Sequence, residues 1–480
     1  MLELTLADVV EGLTGWRPAA LDQPLAGAYM DSRRAVEGGL FFALPGEQQD
    51  GHTYIPDALT RGCRVVVAQR APESGCAVVD TRDRQAFREQ ADRLLSHQSV
   101  EQRPICLLVP DSLGALQQLA DFWRTRHIVR AIAVTGSVGK TTTKEMLAAV
   151  LSQRYRVLKS ERSVNTATGL PLALLRLTSA HERAVLEIGG GYELGEIAQL
   201  ARIARPQVGV VTNVGPTHLE RMGTIERIAL NKAELVETLP EDGVGVLNAD
   251  DPLVRAMASK AQGRVFFYGL TPDADLWANE IESRGLEGLR FRFHYGKEVV
   301  YARVPLLGRH SVHTALRAAA VGLIEGLSWQ EIMDGLRGAT QLRLVVVPGL
   351  NGSTLLDDTY NSSPTSAIAA LNLLDELEGR KIAVLGDMLE LGSYEEEGHR
   401  KVGRRAMDVV ELLVTVGPRG RIIAEEVLDL GMDPGAVHVV EDNEAAVAYL
   451  RHVIAPGDAV LVKGSRGMTM EHIVSALSVR

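Results

Sequence analysis

The run Ala131-Ile-Ala-Val-Thr-Gly-Ser-Val-Gly-Lys-Thr-Thr-Thr-Lys-Glu145 dictates a strand that breaks at a glycine turn and restarts as a helix. β-Branched and small apolar residues up to Thr135 suit a buried strand, and Gly136 and Gly139 give the loop the backbone freedom to curl. A loop of this kind gathers N–H groups around an oxyanion, the helix N-terminus adds positive potential, and Lys140 adds a point charge. Thr141 brings a hydroxyl suited to Mg²⁺. The full Walker spacing is absent, because Val134 stands six residues before Lys140 where a glycine is expected, but the shorter Gly-x-x-Gly-Lys-Thr form is intact. The plainer alternative is a strand-turn-helix with a solvated lysine. The strand before and the helix after favour a phosphate cradle built from Gly136, Ser137, Val138, Gly139, Lys140, Thr141 and Thr142, with ATP as its ligand.

The chain has 480 residues, too many for one ordinary core, and three domains are expected. The polar segment Ser96–Pro104 and the segment Arg337–Arg343 read as connections between folded units. No apolar run reaches the roughly 18 to 20 residues that span a bilayer, so no membrane insertion is expected. A formal charge of -10 argues against nucleic acid as a partner, which would call for a basic face. Acidic residues stand near the N-terminus where a signal peptide would be basic, and Cys63, Cys76 and Cys106 have no metal-type spacing. A reduced, cytoplasmic setting is the expectation.

From Ala131 onward, short β-branched runs alternate with helical patterns: 184–188, 208–212, 245–248, 382–385, 412–416 and 459–462. That alternation indicates an α/β chain with parallel sheets covered by helices on both faces. Ligands in such sheets lie at the carboxyl ends of strands, which is where Gly136, Glu187, Asn213 and Gly386 fall.

Glu187 sits at the end of one such run, either as a Mg²⁺ ligand or as a strand-end acid satisfied by backbone amides. His218 lies in a Gly-Pro turn within Thr212-Asn-Val-Gly-Pro-Thr-His218, where a ring nitrogen can serve a metal or a purely structural role. Lys232 shares a helical face with Ile225, Ile228 and Leu235, away from the usual solvated position. A buried lysine tends to lose its charge, and a neutral amine reacts with carbon dioxide to give a carbamate, an anionic metal ligand. His399, in the charge run Glu395-Glu-Glu-Gly-His-Arg400, is expected on a solvated helix face. Lys463, Ser465 and Arg466 fit either a carboxylate ligand or a simple strand-end turn.

These residues together resemble the central domain of the Mur ligases. Asp31-Ser-Arg33, Asn165-Thr-Ala-Thr-Gly-Leu-Pro171, Asp357-Asp-Thr-Tyr-Asn361, Gly386-Asp-Met-Leu-Glu-Leu-Gly392 and Val462-Lys-Gly-Ser-Arg-Gly467 extend the resemblance over nearly the whole chain, toward the MurF type. The resemblance implies a three-domain architecture: an N-terminal domain over 1–107 for a UDP-linked substrate, a central P-loop domain with a parallel sheet over 108–338, and a Rossmann-like C-terminal domain over 339–480. It implies ATP-dependent ligation of D-alanyl-D-alanine to UDP-N-acetylmuramoyl-tripeptide through an acyl phosphate, with ATP and Mg²⁺ bound and the protein acting as a monomer. In that scheme Lys140 and the loop hold the phosphates, Thr141 and Glu187 serve one Mg²⁺, and His218 and carbamylated Lys232 serve another. Arg343 reaches the γ-phosphate, Asp358 and Asn213 hold the nucleotide, and Ser32, Arg33, Asn165, Thr166 and Asn361 meet the substrates.

The chain departs from the family pattern at Ser311 and Thr314, which replace asparagines of the adenine-side motif, and at Val138, Gly190-Gly-Tyr192 and Ser362-Ser-Pro364. The alternatives are a related ligase with another amino-acid acceptor, and a nucleotide-binding regulatory protein without ligation.

Overall fold

A computed structural model describes residues 2–18, 21–46, 49–73, 75–83, 87, 103–161, 165–190, 193–338 and 345–479. Arg343, Gly191, Tyr192 and most of both expected connections, 96–102 and 339–343, lie outside the described residues. The chain forms two compact units: Met1–Ala133 with Tyr155–Gly189 and Ala198–Gln207, and Val134–Arg154 with Gly190–Ile197 and Val208–Arg480.

In the first unit, five parallel strands lie in the order Ala28–Tyr29, Leu40–Phe42, Val65–Ala68, Ile105–Leu108, Ala77–Asp80. Leu40–Phe42, Val65–Ala68 and Ile105–Leu108 are buried throughout, the continuous apolar pattern of strands covered on both faces. Helix Ser112–Thr125 is started by Asp111, whose carboxylate accepts from the Leu113 and Gly114 N–H groups. Trp123 packs inward, its indole N–H donating to the Leu177 carbonyl at 3.1 Å. Strand Arg183–Glu187 pairs in parallel with Val157–Lys159 and ends on Glu187.

In the second unit, Val208–Val211, Val244–Asn248 and Arg264–Gly269 run parallel in that order. The strands 276–283, 289–295 and 298–304 then form an antiparallel ribbon, which the parallel-sheet expectation did not contain. Its signal is a period of two: Leu289, Phe291 and Phe293 are buried while Arg290, Arg292 and His294 alternate outward. Gly296, at φ 56, takes the left-handed position that the two-residue turn between Tyr295 and Glu298 demands. A second sheet, with strand order 345–348, 354–357, 459–463, 381–386, 412–416, 437–440, is parallel except at its first strand. Leu355, Val384, Val414 and Val460 on one face and Leu356, Ala383, Leu413 and Leu461 on the other fill its two cores. Among the described residues no helix is long and apolar enough to cross a membrane.

Candidate active site

The phosphate-loop reading requires a strand, a strained glycine turn and a helix, and all three are present. Arg130–Thr135 is a strand, Gly136 and Gly139 stand at φ 134 and 84, and the helix Lys140–Leu151 begins at once. A Cβ on Gly136 would come within 1.9 Å of the Thr212 hydroxyl, so no side chain fits there. The loop is pinned from the neighbouring strand end. The Ser137 N–H donates to the Asn213 carbonyl at 2.9 Å, the Val138 N–H to Asn213 Oδ1 at 2.9 Å, and Asn213 Nδ2 returns a bond to the Val138 carbonyl at 3.1 Å. The Thr212 hydroxyl donates to the same carbonyl at 2.8 Å. Val138 therefore acts through its backbone, which explains why an apolar side chain is tolerated there. With the Ser137 and Val138 amides committed to Asn213, anion binding falls to Gly139 and the first turn of the helix, whose N–H groups lack intrahelical acceptors. Lys140 Nζ folds over the loop onto the Gly136 carbonyl at 2.7 Å and the Ser137 carbonyl at 3.2 Å.

A cavity of about 360 Å³ opens beside this loop, lined by Ser137, Val138, Gly139 and Thr142 and, from other elements, by Asn213, Arg317, Asp358 and Lys463. Lys463 is only 2% exposed, and its ammonium is met by Asp358 Oδ2 at 2.5 Å and the Asn361 carbonyl at 2.9 Å. The register explains the meeting, since Asp357 and Val462 are partners on adjacent parallel strands and each is followed by a member of the pair. Lys463 is a buried cation held by Asp358, and removing one partner of such a pair costs about 3–5 kcal/mol.

His218 sits at φ 57, and its Nδ1 lies 2.6 Å from Glu390 Oε2, itself on a residue at φ 63. Two non-glycine residues in the left-handed region thus face one another, the strain pattern that collects at functional sites. Burial holds the His218 ring below the usual imidazole range, against the opposing pull of Glu390. His399 departs from the expectation of a solvated face. It is fully buried, Nδ1 donating to the Glu395 carbonyl at 2.7 Å and Nε2 accepting from the Met388 N–H at 3.0 Å. It braces the turn that carries Glu390, and its helical spacing to Val402 and Ala406 puts it on the inward stripe.

Lys232 is buried as its helical position suggests, with 2% exposure. Its amine donates to the Gly190 carbonyl and, at 3.0 Å, to Asn231 Oδ1. Burial first, and the charge of Lys140 second, bring its pKa from 10.5 down to about 7. Across that window the unfolded chain holds a proton that the folded chain has released, so folding stability rises with pH from about 7 to 10.5. Lys232→Met is expected to abolish about 2 kcal/mol of the stability gained between pH 7 and pH 9 in carbonate-free buffer, measured by urea unfolding of both proteins.

In the first unit, Glu187 is fully buried, its Oε1 accepting from Asn165 Nδ2 at 2.7 Å. Asn165 also accepts the Gly189 N–H on its carbonyl, so this predicted substrate residue holds the strand end carrying Glu187. Thr166 accepts the Gly169 N–H at 3.2 Å and shapes the start of the next helix. Ser32 is buried, whereas the Arg33 side chain is 82% exposed and its guanidinium forms two bonds to Asp31, at 2.9 and 2.8 Å.

Three family models match the chain in order: "Mur ligase family, catalytic domain" over residues 25–103, "Mur ligase middle domain" over 134–322, and "Mur ligase, glutamate ligase domain" over 342–466. The UDP-N-acetylmuramoyl-tripeptide–D-alanyl-D-alanine ligase of Bacillus subtilis (strain 168) is 34% identical over 487 residues, covering 99% of each chain. The chain belongs to the Mur ligase family, MurF type. MurF from Acinetobacter baumannii superposes with a TM-score of 0.83 at 28% identity, covering 99% of this chain and 98% of that one. MurF from Thermotoga maritima in complex with ADP gives 0.76 at 27%, covering 94% and 96%. The α/β, three-domain Mur ligase architecture expected from the sequence is the one this chain shares with them.

For a Mur ligase, its departures find local explanations. Ser363 caps the helix Pro364–Asp375, its hydroxyl accepting from the Ser366 N–H, a role to which serine is well suited. The Ser311 hydroxyl donates to the Leu307 carbonyl at 2.7 Å, and the Thr314 hydroxyl accepts from Arg317 at 2.9 Å. Glu390 and Arg317 were not singled out from the sequence. Glu390 has no local signal, because its partner lies far along the chain. Arg317 had one: it is a lone cation in the apolar run Ala315-Leu-Arg-Ala-Ala-Ala-Val321.

Proposed function

We propose that this Mur ligase joins D-alanyl-D-alanine to UDP-N-acetylmuramoyl-tripeptide at the expense of ATP, giving ADP, phosphate and the UDP-linked pentapeptide. The observation that carries the reading is the 34% identity across 99% of both chains with a ligase of that name. The pinned phosphate loop beside a cavity with buried cations supports it.

In this reading the substrate carboxylate attacks the γ-phosphorus of ATP, the bond to ADP breaks, and an acyl phosphate forms. The amine of the dipeptide then attacks the acyl carbon and phosphate leaves. Lys140 and the helix N-terminus neutralise charge on the transferring group, and Arg343 adds to this. Gly136, Ser137, Val138, Gly139, Thr142 and Asn213 form or brace the cradle, and Asp358 holds the ribose. Ser32 and Arg33 meet the uridine nucleotide, while Asn165, Thr166 and Asn361 serve in substrate binding. No covalent enzyme intermediate is required; alignment of the three reactants supplies much of the rate.

Mg²⁺ suits the donors available. Among the described residues no group of three or more His, Cys, Asp or Glu side chains is arranged for a metal. Mg²⁺ commonly takes one or two carboxylates and leaves its other positions to phosphate oxygens and water. Thr141 and the buried Glu187 would hold one ion, and His218 with Lys232 as its carbamate the other. Bound there, Mg²⁺ would offset charge on the transferring phosphoryl group. Lys232 qualifies for carbamylation because its amine is buried and, with a pKa brought down to about 7, is half neutral at pH 7. The domain boundaries 1–107, 108–338 and 339–480, a cytoplasmic location and a monomeric state belong to the same proposal.

The test is phosphate release from ATP and Mg²⁺ with each substrate omitted in turn. The reading requires release that depends on both the UDP-tripeptide and the dipeptide. Release independent of the dipeptide would sink it.

A further inference from the structure

Helix Val312–Ile324 is apolar along most of its length, with Ala315, Leu316, Ala318, Ala319 and Ala320 fully buried, yet Arg317 in their midst is only 4% exposed. Its guanidinium has two protein partners, both uncharged. Nη2 donates to the Thr314 hydroxyl at 2.9 Å, and Nη1 lies 3.5 Å from the Tyr268 hydroxyl. Tyr268 is itself fully buried, its phenol pushed up to about 12 by burial, so it brings no negative charge. Arg317 Nε has no hydrogen-bond partner, and no carboxylate lies within ion-pair distance of the guanidinium among the described residues. A buried charge without a counter-charge is costly, so the arrangement calls for an anion from outside the chain.

A second feature points to the same place. The helix Lys140–Leu151 is 12 residues long, and its N-cap is Gly139, with no side chain to satisfy the first-turn N–H groups. A Cβ on Gly139 would stand 3.5 Å from Arg317 Nη2, so the guanidinium lies directly against this helix start. Gly139 and Arg317 line the same cavity. Positive helix potential and a desolvated guanidinium converge there, and a phosphate suits both.

We infer that Arg317 is a second cation for the phosphate chain of the bound nucleotide, acting beside Lys140 from the helix that follows the antiparallel ribbon. This rests on the nucleotide reading of the cavity and deepens it. The charge of the ligand completes a site that the protein alone leaves uncompensated.

The test uses the full chain and isothermal titration with ADP, alongside adenosine followed by ligand-observed NMR. Wild-type protein that fails to bind ADP would refute the nucleotide reading itself. With binding in hand, Arg317→Met, which keeps the aliphatic bulk, is expected to weaken ADP by at least about 30-fold while leaving adenosine within about threefold. Arg317→Lys is expected to recover part of the loss. Without ligand, Arg317→Met should melt no lower than wild type, because an unpaired buried charge has been removed. ADP affinity within threefold of wild type, or equal losses for ADP and adenosine, would overturn the inference.

Discussion

Lys140→Ala is expected to reduce dipeptide-dependent phosphate release by on the order of a thousandfold while leaving the fold intact. The side chain is half-buried and bonds to the carbonyls of Gly136 and Ser137, and the loop keeps other ties when it is removed. Asn213 and Thr212 hold Val138 in place regardless. What is lost is a positive charge at the start of the helix, where a transferring phosphoryl group builds up negative charge. Steady-state phosphate release and a thermal melt on the same sample check both halves. Near-normal turnover would show that the glycine turn is not the phosphate cradle.

Lys232→Ala is expected to have the next largest effect, a loss of about a hundredfold or more, with partial recovery on adding short carboxylic acids such as acetate or propionate. The reasoning starts from burial. An amine at 2% exposure with a pKa near 7 is half neutral at neutral pH, and a neutral amine takes up carbon dioxide with release of a proton. Truncation to alanine leaves a space into which a small carboxylate fits as a substitute for the carbamate. Activity measured against carboxylate concentration, with chloride as control, distinguishes this from general destabilisation. An unaffected variant removes the carbamate from the account, and a dead variant that no carboxylate rescues assigns Lys232 a structural part through Gly190 and Asn231.

The parallel framework was legible in the sequence because doubly covered strands leave continuous apolar runs. Val208–Val211, Leu412–Val416 and Ala459–Lys463 stand within a residue of where those runs predict. The ends of the strands followed, and with them Gly136, Glu187, Asn213 and Gly386. The burial of Lys232 could be read from helical periodicity alone. Other features depended on contacts between distant segments. Asp358 and Lys463 are 105 positions apart and meet only because two parallel strands are in register. The pairing of His218 with Glu390 has the same character. His399 was masked by its acidic neighbours, although its spacing to Val402 and Ala406 held the inward signal. The antiparallel ribbon was hidden by the expectation of period-free buried strands, while its own alternation of Leu289, Phe291 and Phe293 with charged residues ran in plain sequence.

The regulatory alternative began from Ser311 and Thr314. Both hydroxyls are engaged within the chain, by Leu307 and Arg317, so their presence is accounted for by local packing rather than by loss of the nucleotide site.

The most direct measurement of the central claim is an isotope transfer. UDP-N-acetylmuramoyl-tripeptide carrying ¹⁸O in its terminal carboxylate is incubated with ATP, Mg²⁺ and D-alanyl-D-alanine, and product and phosphate are read by mass spectrometry. An acyl-phosphate ligase predicts a UDP-pentapeptide together with phosphate bearing one ¹⁸O atom. Unlabelled phosphate without the pentapeptide would mean that water attacks ATP instead, and would contradict the account.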